Sequence, residues 1–146
     1  MGLKYNIITE FVKDISSEIP NVETFLSAKE NLSTYQLNID IKSKPLKNKI
    51  IEINILLRFE DKKLENKRAH FEITYAIIVK FEDVTAEKND VEKAVLCDIP
   101  KDVSSKLEKI LGDLLENSGF EKIVFENQLD FEKLYNERKA TQKSFS

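Results

Sequence analysis

Two side chains in this sequence have the types needed for nucleophilic or proton-transfer chemistry near neutral pH, His70 and Cys97, and each type occurs once. A Cys–His pair needs its members within hydrogen-bond reach and a third group to orient the base. No local signature provides one around either residue. His70 lies in Ala69-His70-Phe71-Glu72, on the polar side of an alternating segment, and reads as a surface residue. Cys97 lies in Val95-Leu96-Cys97-Asp98-Ile99-Pro100 and reads as a small buried hydrophobe. It has no Cys-x-x-Cys partner and no second histidine, so the sequence shows no zinc-ligand pattern. Paired carboxylates for acid–base work would have to come from Glu82, Asp83, Glu87, Asp90 and Glu92. Their spread suits a wet loop and a helix start better. Phosphate-cradling loops and the His-Glu-x-x-His helix are absent, and three glycines leave little for the former. The expectation is a protein that is not an enzyme, with no metal and no cofactor.

The elements that would position these residues form two blocks within one domain of 146 residues. Residues 1–82 read as sheet, 83–139 as mainly helical and 140–146 as a frayed tail. Strands followed by helices predict an α+β fold. A first strand is expected over Tyr5 to Ile15, with Tyr5, Ile7 and Phe11 on one face and Ile8, Glu10, Val12 and Asp14 on the other. Ser16 to Ser33, with Pro20-Asn21 and the apolar Phe25-Leu26, reads as a structured loop. Tyr35, Leu37, Ile39 and Ile41 then alternate with polar residues, the signature of a half-buried strand. A third strand places Ile51, Ile53, Ile55, Leu57 and Phe59 inward, and a fourth does so with Phe71, Ile73, Tyr75, Ile77, Val79 and Phe81. Short polar connections, one of them Asp61 to Lys67, favour an antiparallel meander of four strands. The period then changes. Val91, Ala94 and Val95 suggest a short helical turn. Val103, Leu107, Ile110, Leu111, Leu114 and Leu115 mark a long amphipathic helix ending at Asn117-Ser118-Gly119. Ile123 to Phe125 reads as extended, and a short last helix starts at Asp130 and runs from Phe131 to about Lys139. Both helices are expected on one face of the sheet.

Composition narrows the function. A net charge of −3 and a pI near 5.4 argue against a nucleic-acid binder and a polybasic membrane-surface protein. Runs such as Ala76-Ile77-Ile78-Val79 are too short to cross a bilayer, so no direct membrane insertion is expected. One cysteine rules out an intrachain disulfide. With no export signal in Met1 to Asn6, a cytoplasmic protein is expected. What remains is apolar surface beyond the needs of one helix-covered sheet. Phe25, Leu26, Phe120, Ile123, Phe125 and Tyr135 are large apolar groups in loops and a terminal helix. They either close the core edges or line an interface or peptide groove.

The order of motifs resembles one family. Phe11-Val12-Lys13-Asp14-Ile15-Ser16-Ser17-Glu18-Ile19-Pro20-Asn21 is similar to the signature of SecB, the bacterial protein-export chaperone, with Ser17 where that family has Phe. Phe71-Glu72-Ile73, Ile99-Pro100, Gly119-Phe120 and Asp130-Phe131-Glu132-Lys133-Leu134-Tyr135 resemble later family motifs in the expected order. The resemblance runs from Tyr5 to about Arg138. It departs at Ser104 to Glu108, where the family carries Phe-Pro-Tyr-Ala-Arg, and at Ala76-Ile77, where it carries Gly-Gly.

The resemblance implies ATP-independent holding of unfolded preproteins in hydrophobic grooves and their delivery for export through the SecA motor of the Sec translocase. It implies a homotetramer, a dimer of dimers, with Val103, Leu107, Ile110, Leu111 and Leu114 at the interface of the long helices. It implies docking of SecA on an acidic sheet face at Asp14, Glu18, Glu72 and, in place of an apolar contact, His70. The expected client groove is Phe25, Leu26, Phe120, Ile123, Phe125 and Tyr135. The alternative is a SecB-like chaperone dedicated to an antitoxin or another single protein partner.

Overall fold

A computed structural model describes residues 3–61, 69–82, 87–121 and 129–144. The sheet has four antiparallel strands: β1 (Tyr5–Glu18), β2 (Tyr35–Pro45), β3 (Ile50–Asp61) and β4 (His70–Phe81). Their spatial order is β1-β4-β3-β2. The meander therefore holds for β2, β3 and β4, while β1 crosses over to pair with β4 instead of β2. The fold class is α+β, as the strand-then-helix order predicts.

The crossover from β1 to β2 is helical, a correction to the loop expected over Ser16 to Ser33. β1 continues to Glu18, and α1 occupies Val22–Glu30. Asn21 caps α1, its side-chain oxygen accepting from the Thr24 backbone N–H at 2.8 Å and from the Thr24 hydroxyl at 2.8 Å. The Pro20-Asn21 pair reads as a turn, but Asn followed by Thr24, Phe25 and Ala28 at helical spacing is equally a helix start.

β1 also corrects the expected strand parity. Its register against β4 slips between Ile7 and Thr9 and again between Val12 and Asp14, so Ile8 and Lys13 are the extra residues of two β-bulges. Between the bulges the faces are exchanged: Glu10 and Val12 lie with Tyr75 and Ile77 on the core face, and Phe11 lies outward opposite Ala76. Beyond the second bulge the parity is restored, and Asp14 returns to the outer face opposite Thr74.

The helical half begins with one continuous stretch: α2 (Lys88–Lys93), a π-turn (Ala94–Asp98) and α3 (Ile99–Asp102). The Ile99 N–H bonds the Ala94 carbonyl, five residues back. Pro100 has no N–H and its ring crowds the carbonyl four residues earlier, and a wide turn relieves that crowding. α4 (Ser104–Asn117) and α5 (Phe131–Ser144) follow. The last helix is as long as α4 and not short: it runs past Lys139 to Ser144, and the Thr141 hydroxyl donates to the Glu137 carbonyl at 3.0 Å.

The core lies on one face of the sheet. Ile53, Ile55, Leu57, Phe71, Ile73, Ile77 and Val79 are buried there, with Val103, Leu107, Leu111 and Leu115 from the helical half. Each such side chain contributes about 1.5–3 kcal/mol on leaving water. The stretch from the end of α3 to the residue after α4 runs along β1: Tyr5 donates to Asp102, Lys106 to Glu10, and Ser17 meets Ser118. The other sheet face carries no helix among the described residues.

Candidate functional site: an apolar groove and a charged sheet face

The charged face follows from strand parity. His70 and Glu72 are outward on β4, Glu18 pairs with His70 and Ser16 with Glu72 from β1, and Glu60 and Arg58 pair with the same two residues from β3. His70 Nδ1 is 2.8 Å from Glu60 Oε2 and Nε2 is 3.2 Å from Glu72 Oε2, while Arg58 Nε donates to Glu72 Oε1 at 3.2 Å. Partial burial raises the Glu72 carboxyl, but the hydrogen bonds from His70 and Arg58 outweigh it and hold the group below the ordinary carboxylate range. Asp14 and Glu18 are exposed on this face, and His70 and Glu72 are half-buried. Glu60 and Arg58 complete the cluster; their outward parity on β3 is visible in the sequence, but which β4 residues they meet depends on the register.

The groove lies on the core side, at the β2 end of the sheet. Ile39 and Ile41 of β2, Leu96 of the π-turn, and Leu134 and Tyr135 of α5 line a cavity of about 210 Å³, with Asp40 and Arg138 as its polar members. Among the described residues β2 is a terminal strand, so one row of its backbone N–H and C=O groups has no partner strand there. Leu134 is 38% exposed in the groove, and Tyr135 is largely buried beneath it.

The expected groove residues fall in three places. Tyr135 lines the groove. Phe25 and Phe120 meet as a tilted pair with centroids 5.2 Å apart, and Phe120 meets Phe71 edge-on at 5.6 Å. Phe120 is only 4% exposed and belongs to the core; it closes the core edge instead of lining a groove. Gly119 makes this closure possible: at φ +100°, it lets the Phe25 ring sit where a Cβ would stand 2.9 Å from Phe25 Cε1. Leu26, 54% exposed on α1, lies apart from the groove-lining residues. Ile123 and Phe125 are outside the described residues. Ile39, Ile41 and Leu96 line the groove without any motif pointing to them, and Leu134 does so from within the Asp130-to-Tyr135 motif. Their signal in the sequence is the alternation of β2 and the apolar Phe131, Leu134 and Tyr135 of the last helix.

The expected interface residues divide as well. Val103, Leu107 and Leu111 are buried against the chain's own sheet. Their spacing of four residues is the same stripe that α4 turns to its own core. Ile110 and Leu114, on the flank of that stripe, are only partly buried. Further apolar exposure is concentrated on β1, the other terminal strand, at Ile8, Phe11, Val12 and Ile15.

Cys97 is buried, and burial pushes its thiol up, with Asp98 and Glu132 adding to the shift. A thiol so placed is a weaker nucleophile. No group of three or more His, Cys, Asp or Glu among the described residues is arranged to hold a metal ion.

Residues 2–142 match the sequence profile of the family described as preprotein translocase subunit SecB. The chain is 47% identical over 138 residues to a Pelagibacter ubique protein named for protein export as SecB, covering 94% of this chain and 99% of that one. It is 24% identical over 133 residues to the protein-export protein SecB of Methylocella silvestris, covering 91% and 81% of the two chains. Among solved structures, the Mycobacterium tuberculosis SecB-like chaperone Rv1957, in complex with a ChAD peptide from the HigA1 antitoxin, superposes with a TM-score of 0.62 at 9% identity, over 84% of this chain and 86% of that one. The profile match over residues 2–142 and the 47% identity over nearly the whole length lead to one assignment: the chain belongs to the SecB family.

Proposed function

We propose that this protein is an ATP-independent holding chaperone that binds unfolded preproteins in the cytoplasm and passes them to SecA for export. The observation that carries this reading is the apolar groove beside the open edge of β2. An extended client segment can pair its backbone with β2 and set alternate apolar side chains against Ile39, Ile41, Leu96 and Leu134. Burial at about 25 cal/mol per Å², less the cost of ordering the client, makes binding broad and weakly dependent on sequence. No reacting group is needed, and the buried Cys97 and the His70 ring hydrogen-bonded between Glu60 and Glu72 suit a protein that performs no covalent step.

A dimer of dimers fits the exposed β1 edge. Pairing β1 with β1 of a second copy hides the open strand, and Ile110 and Leu114 are then the part of α4 left to meet a further layer. Asp14, Glu18, His70 and Glu72 form the docking face for SecA. They lie on the helix-free side of the sheet, away from the groove.

The test is aggregation of a chemically unfolded client, followed by light scattering without nucleotide, together with the solution mass. Suppression at about equimolar assembly and a mass of about four chains are expected. Unchanged aggregation at tenfold excess of the protein would rule the reading out. The likeness to Rv1957 favours a second reading, a chaperone for one antitoxin-like partner. Failure to hold unrelated clients, with tight capture of a single one, would select it.

A further inference from the structure

The helix-free face of the sheet is charged at both ends, not only at the acidic one. About four residues along β3 from Arg58, a distance of ~13 Å at ~3.3 Å per residue, stands Asn54, opposite Ala76 of β4 and Lys42 of β2. Lys13, Asp14, Lys42, Asn54, Leu56 and Thr74 line a cavity of about 360 Å³ there, with all four strands contributing. Lys13 is held: from the second bulge of β1 it crosses β4 to pair with Glu52 of β3 at 2.9 Å. Asn54 Nδ2 donates to the same Glu52 oxygen at 2.7 Å. That bond fixes which way the amide points, since the reversed amide would set an oxygen against the carboxylate. It leaves Asn54 Oδ1 buried with no hydrogen-bond partner among the described residues, an acceptor without a donor there. Lys42 forms no ion pair with another described residue, although Asp14 lines the same cavity. With histidine neutral, Glu18, Glu60 and Glu72 against Arg58 make −2 at one end of the face; Lys13, Lys42, Lys44 and Lys80 against Asp14, Asp40 and Glu52 make +1 over the rest of it.

We propose that this cavity is a second contact for the partner docking on the acidic end: it takes an acidic side chain of the same extended segment, about four residues from the basic residue that meets Glu72. The segment's backbone N–H supplies the donor that Asn54 Oδ1 lacks, and its carboxylate meets Lys42. A partner with both signs is thereby set in one direction across the sheet, which a uniformly acidic face would not achieve. The inference rests on the reading of Glu18, His70 and Glu72 as a docking face.

The test uses fluorescein-labelled twelve-residue peptides in a Ser/Thr/Gly background, titrated by anisotropy at low ionic strength, where exposed charge pairs are least screened. One peptide carries Lys-x-x-x-Asp, one Asp-x-x-x-Lys, and matched controls replace Asp by Asn. One of the two orders is expected to bind about threefold to fivefold more tightly than its Asn control. Lys42→Gln should remove that difference and leave the Asn controls unchanged. Equal binding of Asp and Asn peptides, or a difference that survives Lys42→Gln, overturns the second contact while the acidic docking face stands. If Glu72→Lys leaves every peptide bound as before, the docking face fails, and this inference fails with it.

Discussion

The Tyr75 hydroxyl donates to Glu10 Oε1 at 2.6 Å, and Lys106 Nζ donates to the same oxygen at 2.6 Å, so one carboxylate on the bulged middle of β1 ties the neighbouring strand to the long helix. Burial raises the Glu10 carboxyl, and the bonds from Lys106 and Tyr75 outweigh it, leaving the group below its ordinary range. A depressed carboxylate contributes stability that is present above the unfolded value, about 4.3, and is lost as pH falls through the folded value. Glu52 and Glu72 are shifted in the same direction. The urea midpoint is therefore expected to drop as pH is lowered below about 4.3. Glu10→Gln should cost about 1–2 kcal/mol at pH 6 and flatten the acid limb of that profile. An unaltered acid limb would show that the tie does not hold the strand to the helix.

Gly119→Ala tests the closure under α1. The new Cβ would meet the Phe25 ring at 2.9 Å in a backbone conformation that side chains seldom adopt. A loss of about 1–3 kcal/mol is expected. Phe120→Ala, which empties a buried site against Phe71 and Phe25, should cost about 3–5 kcal/mol. Thermal or urea unfolding measures both. A Phe120→Ala protein of wild-type stability with impaired client holding would return Phe120 to the groove.

Leu134→Ser separates holding from folding. Leu134 lines the groove and is partly open to solvent, so its removal should cost under about 1 kcal/mol of stability. Client affinity should fall about threefold to tenfold, the value of one apolar side chain withdrawn from a binding surface. Anisotropy with a labelled unfolded client reads the change; equal affinity in a folded variant would move the client elsewhere.

Val12→Lys with Ile15→Lys places two charges on the exposed edge strand. Light-scattering mass should fall from about four chain masses toward one, with the circular dichroism of the sheet retained. A mass that does not change would assign assembly to another surface.

Much of this was legible from residue order. The alternation in β2, β3 and β4 is unbroken from Tyr35 to Ile41, Ile51 to Phe59 and Phe71 to Phe81, and each inward position was assigned by parity alone. Parity also puts Asp14, His70 and Glu72 on one face, which holds for Asp14 because the two bulges of β1 cancel before it. Other features come from devices that parity cannot register. A bulge adds a residue without altering composition, so alternation alone puts Phe11 and Glu10 on the wrong faces. Asn21 serves turns and helix caps alike, so the residues of α1 look like a loop. An aromatic after a helix stop, such as Phe120, looks unpartnered until α1 brings Phe25 over it. The groove depends on β2 and α5 meeting, and nothing in either segment declares the other.

The paired bulges at Ile8 and Lys13 act like two frameshifts that suppress each other. Both ends of β1 stay in phase with β4, and only the stretch between them is inverted, which sends Phe11 outward and brings Glu10 to Tyr75 and Lys106. Deleting either extra residue alone would throw one whole end of the strand out of phase, turning Ile15 or Tyr5 away from the core. Deleting both would restore a plain ribbon with intact ends and an altered centre. Insertions and deletions here should therefore show sign epistasis: each is harmful singly and milder in combination, so natural variation in this strand should gain or lose the two positions together.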